Sequence, residues 1–193
     1  MPLIAFLGCD GSGKSTVIKE VTRRLGEQGH TVSTGHWRPT PFGKRGSGTS
    51  AADDPHGQPP RGFASSVAKL GWLWINWWAG WLGGLARQRR NGWVLYDRYH
   101  GDLVVDPKRY RYGGPQGLAR LASATMPQPD KIIFLDAPAD VLLARKQEVT
   151  KEALESLRDR YLRFGADSPR FQVVDCAGQV ERVVETVMTH LHE

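Results

Sequence analysis

Only two cysteines occur in the 193 residues, Cys9 and Cys176. They can pair, but two thiols are not a disulfide framework, and their scarcity points to a reduced, cytoplasmic setting. Acidic residues are outnumbered 20 to 26 by Lys and Arg, for a formal charge of +6, yet the chain lacks a long basic arm. Arg87, Arg89 and Arg90 form one short cluster and Lys108, Arg109 and Arg111 another. Neither has the length that coats a nucleic acid, so none is expected as a partner. Uninterrupted apolar runs are missing too. The longest candidate is broken by Lys69, Asn76 and several glycines, short of the roughly 20 apolar residues of a membrane span. The opening MPLIAFLG lacks the basic start and the length of a signal peptide. No His, Cys and Asp spacing suits zinc, and no repeat or linker divides the chain. These absences leave a single domain over residues 1–193, whose positive charge suits phosphate-bearing ligands.

What is present is alternation. Apolar runs at LIAFLG (3–8), HTVSTGHW (30–37), WVLYDR (93–98), DKIIFLDAP (130–138) and FQVVDC (171–176) read as strands. Helical patterns occupy 14–29, 63–90, 139–147, 151–165 and 179–192. Strands alternating with helices predict an α/β fold with a parallel sheet covered on both faces. Residues 38–62 are rich in Gly, Pro and Ser without apolar periodicity. They read as an inserted loop, either a flap over a ligand or a disordered stretch.

The segment Gly8-Cys9-Asp10-Gly11-Ser12-Gly13-Lys14-Ser15 fits the phosphate-loop pattern, after a strand and opening a helix. Its glycines let backbone N–H groups curl around a phosphate chain, and the helix start adds partial positive charge. Lys14 can reach the β- and γ-phosphates of ATP, Ser15 can hold Mg²⁺, and Thr16 can touch the α-phosphate. Cys9 reads as a small packing residue. Asp97 and Arg98 end the third strand, on the edge where doubly wound sheets bind ligands. Asp97 can join the Mg²⁺ shell or assist the attacking oxygen. Arg98 can bridge the phosphates between which the group moves. Between two helices lies ARKQEVTKE, residues 144–152. This polar, basic segment is a candidate lid, with Arg145 and Lys146 as its transition-state cations and Lys151 behind them.

Together, the P-loop with Asp at its third position, the Asp-Arg-Tyr strand end, LDAPADVLLARK and VVDCAGQVERVVETV resemble the thymidylate kinase family. The resemblance runs in order along the chain outside residues 38–92. It implies a five-stranded P-loop sandwich, ATP with Mg²⁺, a small phosphate acceptor that is nominally dTMP, and a homodimer packed through helices. It implies that Asp10 contacts an acceptor sugar hydroxyl and that residues around Gly178 lie near the adenine. Gly11 stands where some members carry an arginine, which assigns the cation to the lid at Arg145. On the acceptor side Trp37-Arg38-Pro39-Thr40 keeps Arg38 but lacks the family's Glu, and no arginine lies between Lys69 and Arg87. HGDLVVDPKRYRYGG follows Asp97-Arg98-Tyr99 where the family has another motif. Arg38, Arg98 and Tyr99 are the acceptor candidates here. Three readings stay open: a dTMP kinase, a kinase for another nucleotide or a sugar phosphate, and an ATP-binding switch. Arg109 and Arg111 read either as an anion clamp or as a solvated basic loop.

The stretch WLWINWWAGW, residues 72–81, holds five of the seven tryptophans. At about 100° per residue, Leu70, Trp74, Trp77, Trp81 and Leu85 share one arc, with Lys69, Asn76, Arg87 and Trp72 opposite. The helix can pack into the core or against a second copy, rest on a membrane surface, or wall the acceptor pocket with Trp72 or Asn76. His36 and His100 stand near strand ends and can line the crevice. Asp136 can order Mg²⁺ waters or cap a helix.

Overall fold

The five apolar runs become five parallel strands in the order β2-β3-β1-β4-β5. They are β1 Leu3–Gly8, β2 Val32–His36, β3 Trp93–Asp97, β4 Lys131–Asp136 and β5 Phe171–Asp175. The computed structural model describes residues 1–37, 39, 59–147 and 149–192. Arg38, most of the 38–62 insertion and one residue of the 144–152 segment therefore lie outside the described residues. β1 is buried along its whole length, as its unbroken apolar run requires of a central strand.

Alternation along β1 feeds two cores. Ile4 and Phe6, with Leu95, Ile133 and Leu135 beside them, belong to the core that holds α1 (Lys14–Glu27) and α8 (Val180–His192). α1 contributes Val17, Ile18, Val21 and Leu25, and α8 contributes Val183, Val184, Val187 and Leu191. Both follow the helical period. Leu3 and Ala5, with Val94 and Tyr96, face Trp77 of α2 (Phe63–Gly80). A π-type turn at Trp81–Leu85, distorted at Gly84, leads from α2 into α3 (Ala86–Asn91). Two short helices that the strand-and-helix pattern does not include, α4 (Asp102–Val105) and α5 (Gln116–Thr125), fill the passage from β3 to β4. α6 (Ala139–Arg145) and α7 (Lys151–Gly165) link β4 to β5, and Tyr161 of α7 stacks on Phe134 of β4 at 5.0 Å. The result is the expected three-layer α/β sandwich. No helix among the described residues is long and apolar enough to cross a membrane.

From β1 the chain crosses to β2, and from β3 it crosses back past β1 to β4. The strand order reverses there, and the crevice outside the C-terminal strand ends lies at that switch point. The P-loop, the Asp97-Arg98 pair and Asp136 all leave strands at this edge.

α2 departs from the expected arc. Its buried residues are Ser66, Leu70, Leu73, Trp77 and Gly80, with Trp74 exposed. The buried face is turned by about 60° from the one that apolar content alone picks out. Small residues win at close approaches. A Cβ on Gly80 would stand 2.4 Å from Pro39. The Ser66 hydroxyl donates to Arg61 and accepts from the Gly113 N–H. Leu70 and Leu73 pack on Leu103, Tyr110, Tyr112 and Ala119 rather than on the sheet.

Candidate active site

The loop after β1 has the shape its glycines allow. Gly11 and Gly13 take φ of 84° and 79°, in the left-handed region that a side chain resists. At Gly11 a Cβ would also meet the Leu142 carbonyl oxygen at 2.7 Å, so the loop lies directly under α6. α1 begins with no side-chain cap and no acidic residue in its first turn. Its leading N–H groups therefore have no side-chain cap, an arrangement that suits an anion. Ser15 and Thr16 sit exposed on that first turn. The Lys14 ammonium is buried against the loop and donates to the Gly8 and Cys9 carbonyls, both at 2.9 Å, and to the Ser12 hydroxyl at 3.3 Å. Burial pushes the Cys9 thiol up to about 12, which suits a packing residue. Both cysteines are free.

Burial, followed by the nearby Arg98 charge, pushes Lys14 down from 10.5 to about 8. Between these values the unfolded chain holds the proton and the folded chain does not, so this group's contribution to stability rises with pH across that window. Phosphate oxygens beside the ammonium would reverse the shift. Were a phosphate ligand such as MgATP to bind at this loop near pH 8, its binding would therefore take up a proton. Calorimetry in buffers of different ionisation enthalpy should show it in the wild type and not in Lys14→Ala. Equal proton uptake in the two proteins would remove Lys14 from the phosphate site.

Arg98 is the hub of the site. It takes φ of 65°, a strained backbone costing about 1–3 kcal/mol for a non-glycine residue. Its own N–H still bonds the Phe6 carbonyl at 2.9 Å. The buried guanidinium donates to Asp10 at 2.9 Å and to Asp102 at 2.8 Å. Burial opposes its charge, but Asp102 and Asp10, with the neighbouring Tyr161 and Tyr110, hold it firmly protonated. Asp102 is fully buried and accepts from Tyr110 at 2.6 Å and from the Tyr161 hydroxyl. The second oxygen of Asp10 pairs with Arg109. Sequence reasoning saw Asp10 and Arg98 separately; the fold places them in direct contact. Asp102, Tyr110 and Tyr161 escaped it, because partners spread from 102 to 161 leave no local pattern.

Asp97 lies 3.6 Å from His36 through one oxygen. Its other oxygen is buried without a hydrogen bond. Burial favours the neutral carboxyl, but His36, Lys14 and Arg98 together hold it below its ordinary value. An ionised carboxylate with an unmet buried oxygen, beside a P-loop with an exposed Ser15 hydroxyl, is a donor set that fits Mg²⁺ or its bound waters. Asp136 has another role: Arg158 of α7 grips both its oxygens, at 2.7 and 2.8 Å. Arg158 follows Leu157 and stands four residues after Leu154, both buried, and that spacing could have marked it as facing inward.

Arg145 ends α6 and donates to the Cys176 and Ala177 carbonyls at 2.9 and 3.0 Å. It is joined to the loop that carries Gly178, at the β5 side of the crevice, and not to the Arg98 hub. Lys146 instead approaches the P-loop: a Cβ on Gly11 would lie 3.5 Å from its Cβ. Lys151 pairs with Asp140.

Of the expected acceptor residues, Asp10 and Arg98 meet and Arg38 lies outside the described residues, while Tyr99, Trp72 and Asn76 stand apart from that pair. Tyr99 is buried under Trp77, with ring centroids 4.3 Å apart, and its hydroxyl donates to the Pro127 carbonyl. It therefore serves the core beneath α2 and does not face the P-loop. Trp72 is 50% exposed, and the Asn76 amide donates to the Trp72 carbonyl within the helix. His100 is buried between Ser123 and Pro127, 2.8 and 3.0 Å from its two ring nitrogens. Burial pushes it down to about 4, so it is a neutral core residue and does not line the crevice. Beside it lies a cavity of about 10 Å³ bounded by Trp37, Leu70, Leu73 and Trp77, room for about one water. Trp37 stacks on Tyr110 at 4.6 Å.

No family model matches the chain. It is similar to a protein named thymidylate kinase from Cupriavidus metallidurans, 28% identical over 199 aligned residues, which cover 93% of this chain and 92% of that protein. The likeness covers most of the chain and so extends well beyond the phosphate loop.

Proposed function

We propose that the chain is an ATP- and Mg²⁺-dependent phosphotransferase of thymidylate kinase type, moving the γ-phosphoryl of ATP to a small acceptor. The observation that carries this reading is the contact between Arg98 and the P-loop residue Asp10. A simple nucleotide-binding loop has no need of a strained, buried arginine from another strand. A kinase needs a cation where donor and acceptor phosphates meet. Bound MgATP would supply the transferable phosphoryl group and the metal's charge neutralisation. Lys14 and the α1 N-terminus would hold the phosphates, Asp97 and Ser15 the metal, and Arg98 the moving group. Arg145 and Gly178 would border the base, and Lys146 would close from the lid.

dTMP is the first acceptor to test, since the similar protein bears the name thymidylate kinase. Two features support a different acceptor: Trp37 stacks on Tyr110, and α2 carries no arginine. Release of ADP should rise with one acceptor from a panel of nucleoside monophosphates, sugars and sugar phosphates. If no acceptor stimulates ADP release, the kinase reading fails and an ATP-binding switch takes its place. Exposed Trp74, Ile75 and Leu82, together with exposed Leu121 on α5, support pairing of two copies through helices including 63–90. Sedimentation of a monomer alone at micromolar concentration would count against it.

A further inference from the structure

We infer that Arg98 and Arg109 form a two-arginine clamp for the phosphate of a phosphorylated acceptor, with Asp10 as the clamp's resident counter-ion. The inference rests on the phosphotransferase reading for what the ligand is, but not for whether the clamp binds phosphate.

The two guanidinium groups come from different elements and meet on one carboxylate, Arg98 on one oxygen of Asp10 and Arg109 on the other. Two guanidinium groups that each give an N–H to a different oxygen of one anion are an arrangement that suits carboxylate and phosphate alike. Arg109 is held in place from several sides. Its backbone N–H donates to Asp106 at 3.3 Å, and the next carbonyl, that of Tyr110, accepts from Lys69 at 2.6 Å. Tyr110 is pinned by its stack on Trp37 and its bond to Asp102. Meanwhile the Arg109 Nε–H is buried without a hydrogen bond, with Asp106 at 3.5 Å. The Asp106 carboxylate at that distance holds the guanidinium from its other side.

The neighbouring Arg111 turns away, donating to the Pro59 carbonyl at 3.1 Å. Of the two arginines in PKRYRYGG, only Arg109 enters the crevice. Two further arginines at this edge point elsewhere: Arg158 grips Asp136, and Arg145 holds the β5 loop. α2 brings no arginine between Lys69 and Arg87. Arg109 thus supplies from the α4–α5 connection the acceptor-side cation that α2 lacks. Asp10 carries a single charge, whereas a phosphomonoester near neutral pH carries up to two and offers three oxygens. An incoming phosphate would take the two N–H groups that now face Asp10, with Arg98 still held by Asp102, and release Asp10, whose freed oxygens can then accept from an acceptor hydroxyl.

The test is calorimetric titration of inorganic phosphate into the full chain saturated with Mg²⁺ and the non-hydrolysable analogue AMP-PNP. Arg109→Gln should weaken phosphate binding by about ten- to a hundredfold, the loss of charge-assisted hydrogen bonds. Arg109→Lys should restore part of it, and Arg111→Gln should leave it unchanged. Asp10→Asn should tighten it, because the internal competitor loses its charge. No phosphate binding in the wild type, binding indifferent to Arg109, or weaker binding in Asp10→Asn would each overturn the clamp. Failure of AMP-PNP to bind during saturation would instead strike the ATP reading. Arg109-dependent phosphate binding would still be measurable in that event.

Discussion

Arg98→Ala should lower acceptor-stimulated ADP release by about a thousandfold or more, the scale set by removal of a phosphate-clamping arginine. It should also destabilise the fold by about 3–5 kcal/mol, because Asp102 would remain fully buried without its ion-pair partner. Lys14→Ala should lose turnover on a similar scale with no comparable loss of stability. The Lys14 ammonium has no carboxylate bound to it; its hydrogen bonds run to two carbonyls and a hydroxyl. Steady-state rates and urea unfolding midpoints on both variants separate the two roles. Near-normal turnover in Arg98→Ala would sink the proposed chemistry. An unchanged midpoint in the same variant would show that Asp102 is satisfied by Tyr110 and Tyr161 alone. From the strand-end motif Arg98 reads either as a chemical residue or as half of a structural strand-end ion pair. Its burial between Asp10 and Asp102 makes it a structural one as well.

Trp77→Ala should cost about 3–5 kcal/mol, the range for removing a large aromatic side chain from a close-packed core. Trp72→Ala should stay within about 0.5 kcal/mol. The two residues are five apart on one helix, but Trp77 is 1% exposed and Trp72 50%. Trp77 touches Tyr96, Tyr99 and His100, with centroids 6.0, 4.3 and 5.2 Å away. Its loss would open a void beneath the strand end that carries Arg98. Chemical denaturation of the two single variants decides the matter. If Trp72→Ala proved the more damaging, or if acceptor binding fell selectively with it, the outer flank of α2 would be the pocket wall. Equal, small effects would show that the helix does not anchor on the sheet through Trp77.

Much of the architecture was legible in the chain because it rests on local periodicity. The run LIAFLG can only be a buried strand, and Gly-rich spacing before Lys14 can only serve a tight loop that opens a helix. Alternation of five such runs with helical patterns determined a parallel sheet, and a parallel sheet determines that its C-terminal edge is the crevice. The P-loop residues, Asp97 and Arg98 therefore followed from sequence alone.

Tertiary structure decided whatever depends on which distant side chains meet. Arg145 carries the same charge wherever it lies, and only the packing of α6 against the β5 loop sends it to the Cys176 and Ala177 carbonyls. Tyr99 adjoins Arg98 in sequence, but the reversal of direction at a left-handed Arg98 turns the tyrosine into the core beneath Trp77. α2 is amphipathic in sequence, but its buried face was set by Gly80 against Pro39 and Ser66 against Gly113, contacts in which small size matters and hydrophobicity does not. The meeting of Asp10, Arg98, Asp102, Arg109 and Tyr161 spans the chain. Burial makes those charges require one another, and no window of sequence contains them together.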